Sequence, residues 1–123
     1  ALLRPGQDDY FVIKPRHSAF YQTSLDLLLK YLKVRKLILT GMAADMCVLF
    51  TANDAYLREF EVIVPADCCA AESETYRRQA LDLVERVLKA DITPSTDLDL
   101  AGIAGHLQGG GAQGPAEQQS SLP

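Results

Sequence analysis

Short apolar runs alternate along this chain with longer stretches of helical spacing, and that alternation limits the fold more than any other feature. Tyr10-Phe11-Val12-Ile13 reads as a strand stopped by Pro15. From Ser24 to Leu32, leucines 25, 28, 29 and 32 recur at helical spacing behind an N-cap of Thr23 or Ser24. Lys36 to Thr40 is short and apolar on both faces, as a buried parallel strand should be. Met46 to Arg58 is helical again, with Val48, Ala52, Ala55 and Tyr56 on one side. Glu61-Val62-Ile63-Val64 is the next strand, closed by Pro65. Ser73 to Leu88 forms a third helix whose apolar positions are Ala80, Leu83, Val84, Val87 and Leu88, and a last extended piece at Asp91-Ile92-Thr93 precedes Pro94. This order predicts an α/β fold: a parallel, Rossmann-like sheet with helices on both faces.

The 123 residues fit one small domain. Six of the eight glycines fall between Gly102 and Gly114, and Glu117 is the one charged residue after position 100. Such a segment cannot bury enough apolar surface to offset its ordering entropy, so residues 101–123 are expected to be a disordered tail behind a domain of residues 1–100. Twelve basic and 16 acidic side chains give a net charge of −4 and leave no basic stripe. That argues against nucleic-acid or anionic-membrane partners, and no apolar run approaches the roughly 20 residues of a bilayer span. Three cysteines are too few for a disulfide scaffold and point to a reducing cytoplasm.

In parallel α/β sheets, sites gather beyond the carboxyl ends of the strands. Lys14 to Phe20 follow the first strand, Gly41 to Cys47 the second, and Ala66 to Cys69 the third. Cys47 falls in the first turn of a helix, where unpaired N–H groups and the positive dipole end stabilise a thiolate, the nucleophilic form of cysteine. The same N–H groups suit a developing oxyanion. The competing reading of Cys47 is a small buried hydrophobe, and that of Lys14 is a solvated surface charge. Gly41 is the one glycine between Gly6 and Gly102, which suggests a backbone need there for positive φ or close approach. No phosphate loop and no G-x-S-x-G elbow is present. With two histidines, one of them His106 in the tail, no metal set can be assembled, and no cofactor is called for. The adjacent Cys68 and Cys69 are expected to pack at a strand end.

Lys14-Pro15-Arg16-His17-Ser18-Ala19-Phe20, then Thr23-Ser24-Leu25-Asp26, then Leu37 to Val48, then Thr51-Ala52-Asn53-Asp54-Ala55, then Val62 to Asp67, resembles the isochorismatase-like cysteine hydrolases, among them nicotinamidases, N-carbamoylsarcosine amidases and isochorismatases. The resemblance runs from about residue 8 to residue 98. It implies a three-layer α/β fold with an Asp-Lys-Cys triad, in which Cys47 matches the nucleophile and Lys14 the lysine. It implies a cis peptide at Met42–Ala43 and an oxyanion hole from the N–H groups of Ala43 and Cys47. His17 and Phe20 fall at positions that line the pocket in family members.

Nothing in the sequence matches the family's triad aspartate, and the family's usual domain is nearly twice this folded length. Together with the absence of a starting methionine, this leads us to expect an incomplete domain, the C-terminal part of such a hydrolase. The resemblance thus implies a cysteine hydrolase that cleaves a C–N bond of a small amide through an acyl-enzyme. Isochorismatase-type members cleave a vinyl ether instead, and both chemistries stay open. Family members are commonly oligomeric, so a homo-oligomer is expected. The alternative, from a different class, is a catalytically inactive α/β module for small-ligand binding or assembly.

Overall fold

The computed structural model describes residues 2–105. Its strands are short and parallel. β1 (Lys36–Ile38) pairs with β3 (Glu61–Ile63), with Leu37 opposite Val62, and β2 (Gly41–Met42) pairs with β4 (Cys69–Ala70), with Gly41 opposite Cys69. The first ladder runs on past β1, since the Leu39 N–H donates to the Ile63 carbonyl at 2.8 Å. On the far side of β3, Ile63 bridges Asp91 in parallel, and Val64 N–H donates to the Asp91 carbonyl. The extended piece expected at Asp91 is therefore part of the sheet.

Among the described residues, four α-helices accompany the strands: α1 (Leu25–Tyr31), α2 (Leu49–Leu57), α3 (Glu74–Leu88) and α4 (Leu100–Gly105). In α3, Ala80, Val84 and Leu88 recur at four-residue spacing and are buried with Leu81. Ser73 caps its start by accepting the Tyr76 N–H at 3.2 Å, and Lys89 closes it in the left-handed conformation. At α1 the cap falls to Thr23, whose hydroxyl accepts the Leu25 N–H, while the Ser24 side chain makes no cap bond. Ala52 and Ala55 of α2 are completely buried, and their small side chains let α2 lie close against α3 and β3. Val62 and Val64 from the β3 segment, Val84 and Leu88 from α3, and Leu29 from α1 fill one core with them.

Three expectations are corrected. Tyr10–Ile13 forms no strand: none of the described strands pairs with it, and Phe11 and Ile13 are 75% and 93% exposed. A strand exists only where a neighbour takes its backbone groups, and apolar content cannot supply one. β1 is not buried on both faces, because Ile38 is 41% exposed. Residues 101–105, expected in the tail, lie in α4, where Asp99 accepts the Gly102 N–H. Residues 106–123 of the expected tail lie outside the described residues. No helix among the described residues is long and apolar enough to cross a membrane.

Candidate active site

The loop from Lys14 to Phe20 is placed by its second half. Ser18 is buried and donates its hydroxyl to Asp54 on α2, and the same oxygen accepts the Phe20 N–H at 3.2 Å. The Ala19 N–H donates to the buried Thr51 hydroxyl at 3.0 Å. Phe20 is buried between the Phe60 ring and the Arg58 guanidinium, 4.6 Å from its centroid. These anchors leave Lys14 and His17 free to face the start of the next helical segment.

That segment begins with a π-turn, Ala44–Val48, which leads straight into α2. The N–H groups of Met46 and Val48 both close on the Ala43 carbonyl at 3.1 Å. Cys47 lies in this turn, half-buried, with its thiol free. The Lys14 Nζ donates to Cys47 Sγ at 3.3 Å and to the Arg16 carbonyl at 3.2 Å. On the other side, His17 Nδ1 stands 4.0 Å from the sulfur, and its ring lies 5.6 Å from the Phe50 ring. The Met42–Ala43 peptide just before the turn is cis.

A hollow of about 370 Å³ opens beside the sulfur, walled by Lys14, Gly41, Met42, Cys47 and Thr51. Larger hollows lie elsewhere, but one includes the paired charges Asp26, Lys30 and Arg58 in its wall, and another has no cysteine, serine or histidine in its wall. Gly41 has φ +114°, and a Cβ there would meet nothing within 4 Å, so the glycine answers to backbone conformation and not to close approach. Asp45, in the same turn, has a buried Oδ1 with no hydrogen-bond partner. Asp67 spends both carboxylate oxygens on Ser95, on its N–H at 2.7 Å and its hydroxyl at 2.6 Å, and these bonds lower its pKa. Cys69 is buried in β4, which raises its thiol pKa, and its sulfur lies 3.8 Å from the Leu39 carbonyl.

The structure thus brings together Lys14, His17, Ala43 and Cys47. Phe20, set in the pocket wall by the resemblance, is instead a core residue and does not line the hollow. The anchoring roles of Ser18, Thr51 and Asp54 were not foreseen. Their signal was two polar residues, Thr51 and Asp54, set within the apolar stripe of Val48, Ala52 and Ala55. Among the described residues, no group of three His, Cys, Asp or Glu side chains is placed to hold a metal ion.

Residues 2–96 match the isochorismatase domain model. The chain belongs to the isochorismatase family. Over 91 residues it is 53% identical to the uncharacterized isochorismatase family protein YaaI of Bacillus subtilis, a match covering 74% of this chain and 50% of that protein. It is 45% identical over 65 residues to ureidoacrylate amidohydrolase RutB of Methylorubrum extorquens, covering 53% of this chain and 26% of that one. Among solved structures, N-carbamoylsarcosine amidase from Thermoplasma acidophilum superposes with a TM-score of 0.70 at 34% identity, covering 78% of this chain and 54% of that chain. The isochorismatase-family chain described here spans about half or less of the length of these relatives. By their names, RutB and the Thermoplasma protein are hydrolases of amide-type bonds.

Proposed function

We propose that this chain carries the nucleophile side of a cysteine hydrolase that cleaves a C–N bond of a small amide. The observation that supports it most is the Lys14 ammonium 3.3 Å from a cysteine sulfur at the head of a helical segment. A neighbouring cation and a helix N-terminus both favour the thiolate. In this reading the Cys47 thiolate attacks the carbonyl carbon. The N–H groups of Ala43 and Cys47 hold the oxyanion, and the amine departs to leave a thioester. Water then releases the acid. His17 Nδ1 stands 4.0 Å from the sulfur but is not among the residues that wall the hollow.

The thiol proton must go to a base, and the triad aspartate implied by the resemblance has no match in these 123 residues. Vinyl-ether cleavage would use the same hollow. The reading carries with it a small-molecule substrate, a cytoplasmic setting and a homo-oligomer, with neither nucleic acid nor membrane as partner. A second reading, an inactive α/β module for small-ligand binding or assembly, draws on the exposed apolar side chains of Phe11, Ile13 and Ile38.

The test is to incubate the chain with nicotinamide, N-carbamoylsarcosine and simple primary amides, and to follow ammonia or amine release. Mass spectrometry of quenched samples reads the acyl adduct. An adduct on Cys47 that disappears in Cys47→Ala is the expected result. Release that survives Cys47→Ala would refute the mechanism.

A further inference from the structure

We propose that Asp54 is a positioning residue: through Ser18 it holds the loop that aims the Lys14 ammonium at the Cys47 sulfur. This role rests on the reading of Cys47 as the nucleophile and adds to it what keeps the cation in place.

One helical run carries both the nucleophile and the holders of its neighbour. Cys47, Thr51, Asp54 and Arg58 follow one another at steps of four, three and four residues, the spacing of a single helix face. Each takes one residue of the loop from Lys14 to Phe20. Cys47 Sγ accepts from Lys14 Nζ at 3.3 Å, and the Thr51 hydroxyl accepts the Ala19 N–H at 3.0 Å. Asp54 accepts the Ser18 hydroxyl, and the Arg58 guanidinium lies 4.6 Å from the centroid of the Phe20 ring.

The Ser18–Asp54 bond is the one in this set that burial demands. Ser18 is buried, and a hydroxyl taken out of water needs partners for its proton and its lone pairs. It donates to Asp54 Oδ2 and accepts the Phe20 N–H at 3.2 Å. With alanine at position 54 the hydroxyl proton has no acceptor, and Ser18 regains one by moving toward water. The Arg16 carbonyl, two residues before Ser18, accepts a second bond from Lys14 Nζ at 3.2 Å. An ammonium has three donors, and this one divides two of them between the loop backbone and the sulfur. A displaced Ser18 shifts the Arg16 carbonyl and turns the ammonium away from Cys47. The other link of Asp54, from Oδ1 to Arg58 at 3.4 Å, is a partly exposed pair of a kind that contributes little to stability, so its loss leaves the helix in place.

The test uses the full chain and iodoacetamide, with Cys47 labelling followed by peptide mass spectrometry between about pH 6 and 10. Asp54→Ala should move the rise of the Cys47 rate to higher pH and slow labelling at neutral pH about threefold or more. The direction is diagnostic, because loss of a nearby negative charge alone favours the thiolate and moves the rise to lower pH. Ser18→Ala should reproduce the Asp54→Ala profile. Asp54→Asn, which keeps an acceptor oxygen, should stay near wild type. In a Lys14→Met background, adding Asp54→Ala should change the rate by less than about twofold, since the group through which it acts is gone. A rise that stays in place or moves to lower pH in Asp54→Ala overturns the proposal, as does the full slowing persisting in Lys14→Met. Should Asp54→Ala not fold, as read by circular dichroism, Ser18→Ala decides: a wild-type profile there overturns the proposal too. The two readings fail separately. Formation of an acyl adduct on Cys47 with a wild-type labelling profile in Asp54→Ala would remove Asp54 alone, whereas coupled labelling with no adduct from any amide would remove the hydrolase reading.

Discussion

The Ala19 N–H donates to the Thr51 hydroxyl at 3.0 Å, with Thr51 buried and Ala19 half-buried where the loop packs on α2. Replacing Thr51 with Val keeps the shape and deletes the acceptor. The Ala19 N–H is then left without its partner, a change that costs about 1–3 kcal/mol. Urea unfolding should show that loss as a lower midpoint at constant slope. Hydrogen exchange should quicken at Ala19 and Phe20 more than in α3. Uniform quickening across the chain would mean that Thr51 supports the whole core and not this loop.

Among the three thiols, Cys47 should react first with iodoacetamide at neutral pH. Burial raises the Cys69 pKa and removes that sulfur from reagent, while Cys68 lacks a lysine neighbour. Lys14→Met should slow Cys47 and leave Cys68 unaffected. Equal labelling of Cys47 and Cys68 in the folded chain would take away the argument for a nucleophile.

Gly41→Ala isolates a backbone effect. The position has open space for a methyl group but a φ of +114°, a region L-residues rarely enter. The expected cost is about 1–3 kcal/mol, read from the unfolding midpoint. A neutral result would show that the β2 backbone relaxes to accept a side chain.

Acid should weaken the start of α3. Hydrogen bonds from Arg77 and Arg78 pull the Glu74 pKa down to about 2 from an ordinary 4.5. A carboxylate lowered on folding adds stability above its unfolded pKa and loses it as pH falls through the folded value, here between about 4.5 and 2. Glu74 is fully exposed, so the effect is small and should shrink in high salt. Thermal melts of Glu74→Gln should slope less steeply over that window. Asp67 and Asp91 are lowered as well, by bonds from Ser95 and Thr93, and keep their own shares of the acid loss. Identical slopes in wild type and variant would show that the arginines move away in solution.

Local signals carried the helices and inner strands. The periodicity at Ala80, Val84 and Leu88 and the cap at Ser73 are properties of a few neighbouring residues, and they match the structure. Lys14 does lie beside Cys47, although the strand whose end was expected to place it there does not form. What could not be read was anything set by a distant partner. Tyr10–Ile13 has strand composition but no strand beside it, and Phe20 reads equally well as pocket wall or core until Arg58 and Phe60 are seen around it. Ser18 and Asp54 are 36 positions apart, and no spacing rule links them.

The Ser18–Asp54 anchor has a consequence for how the reactive pair stays assembled. Lys14 is four positions upstream of Ser18, and the residues before it are held by no ladder. Four residues span at most about 14 Å even when fully stretched, so the ammonium is leashed to the sulfur whatever the upstream stretch does. A short tether of this kind holds a group at a local concentration of millimolar or more. Thermal motion of Tyr10–Ile13 therefore changes how often the cation meets the thiolate far less than it changes the shape of the surrounding surface.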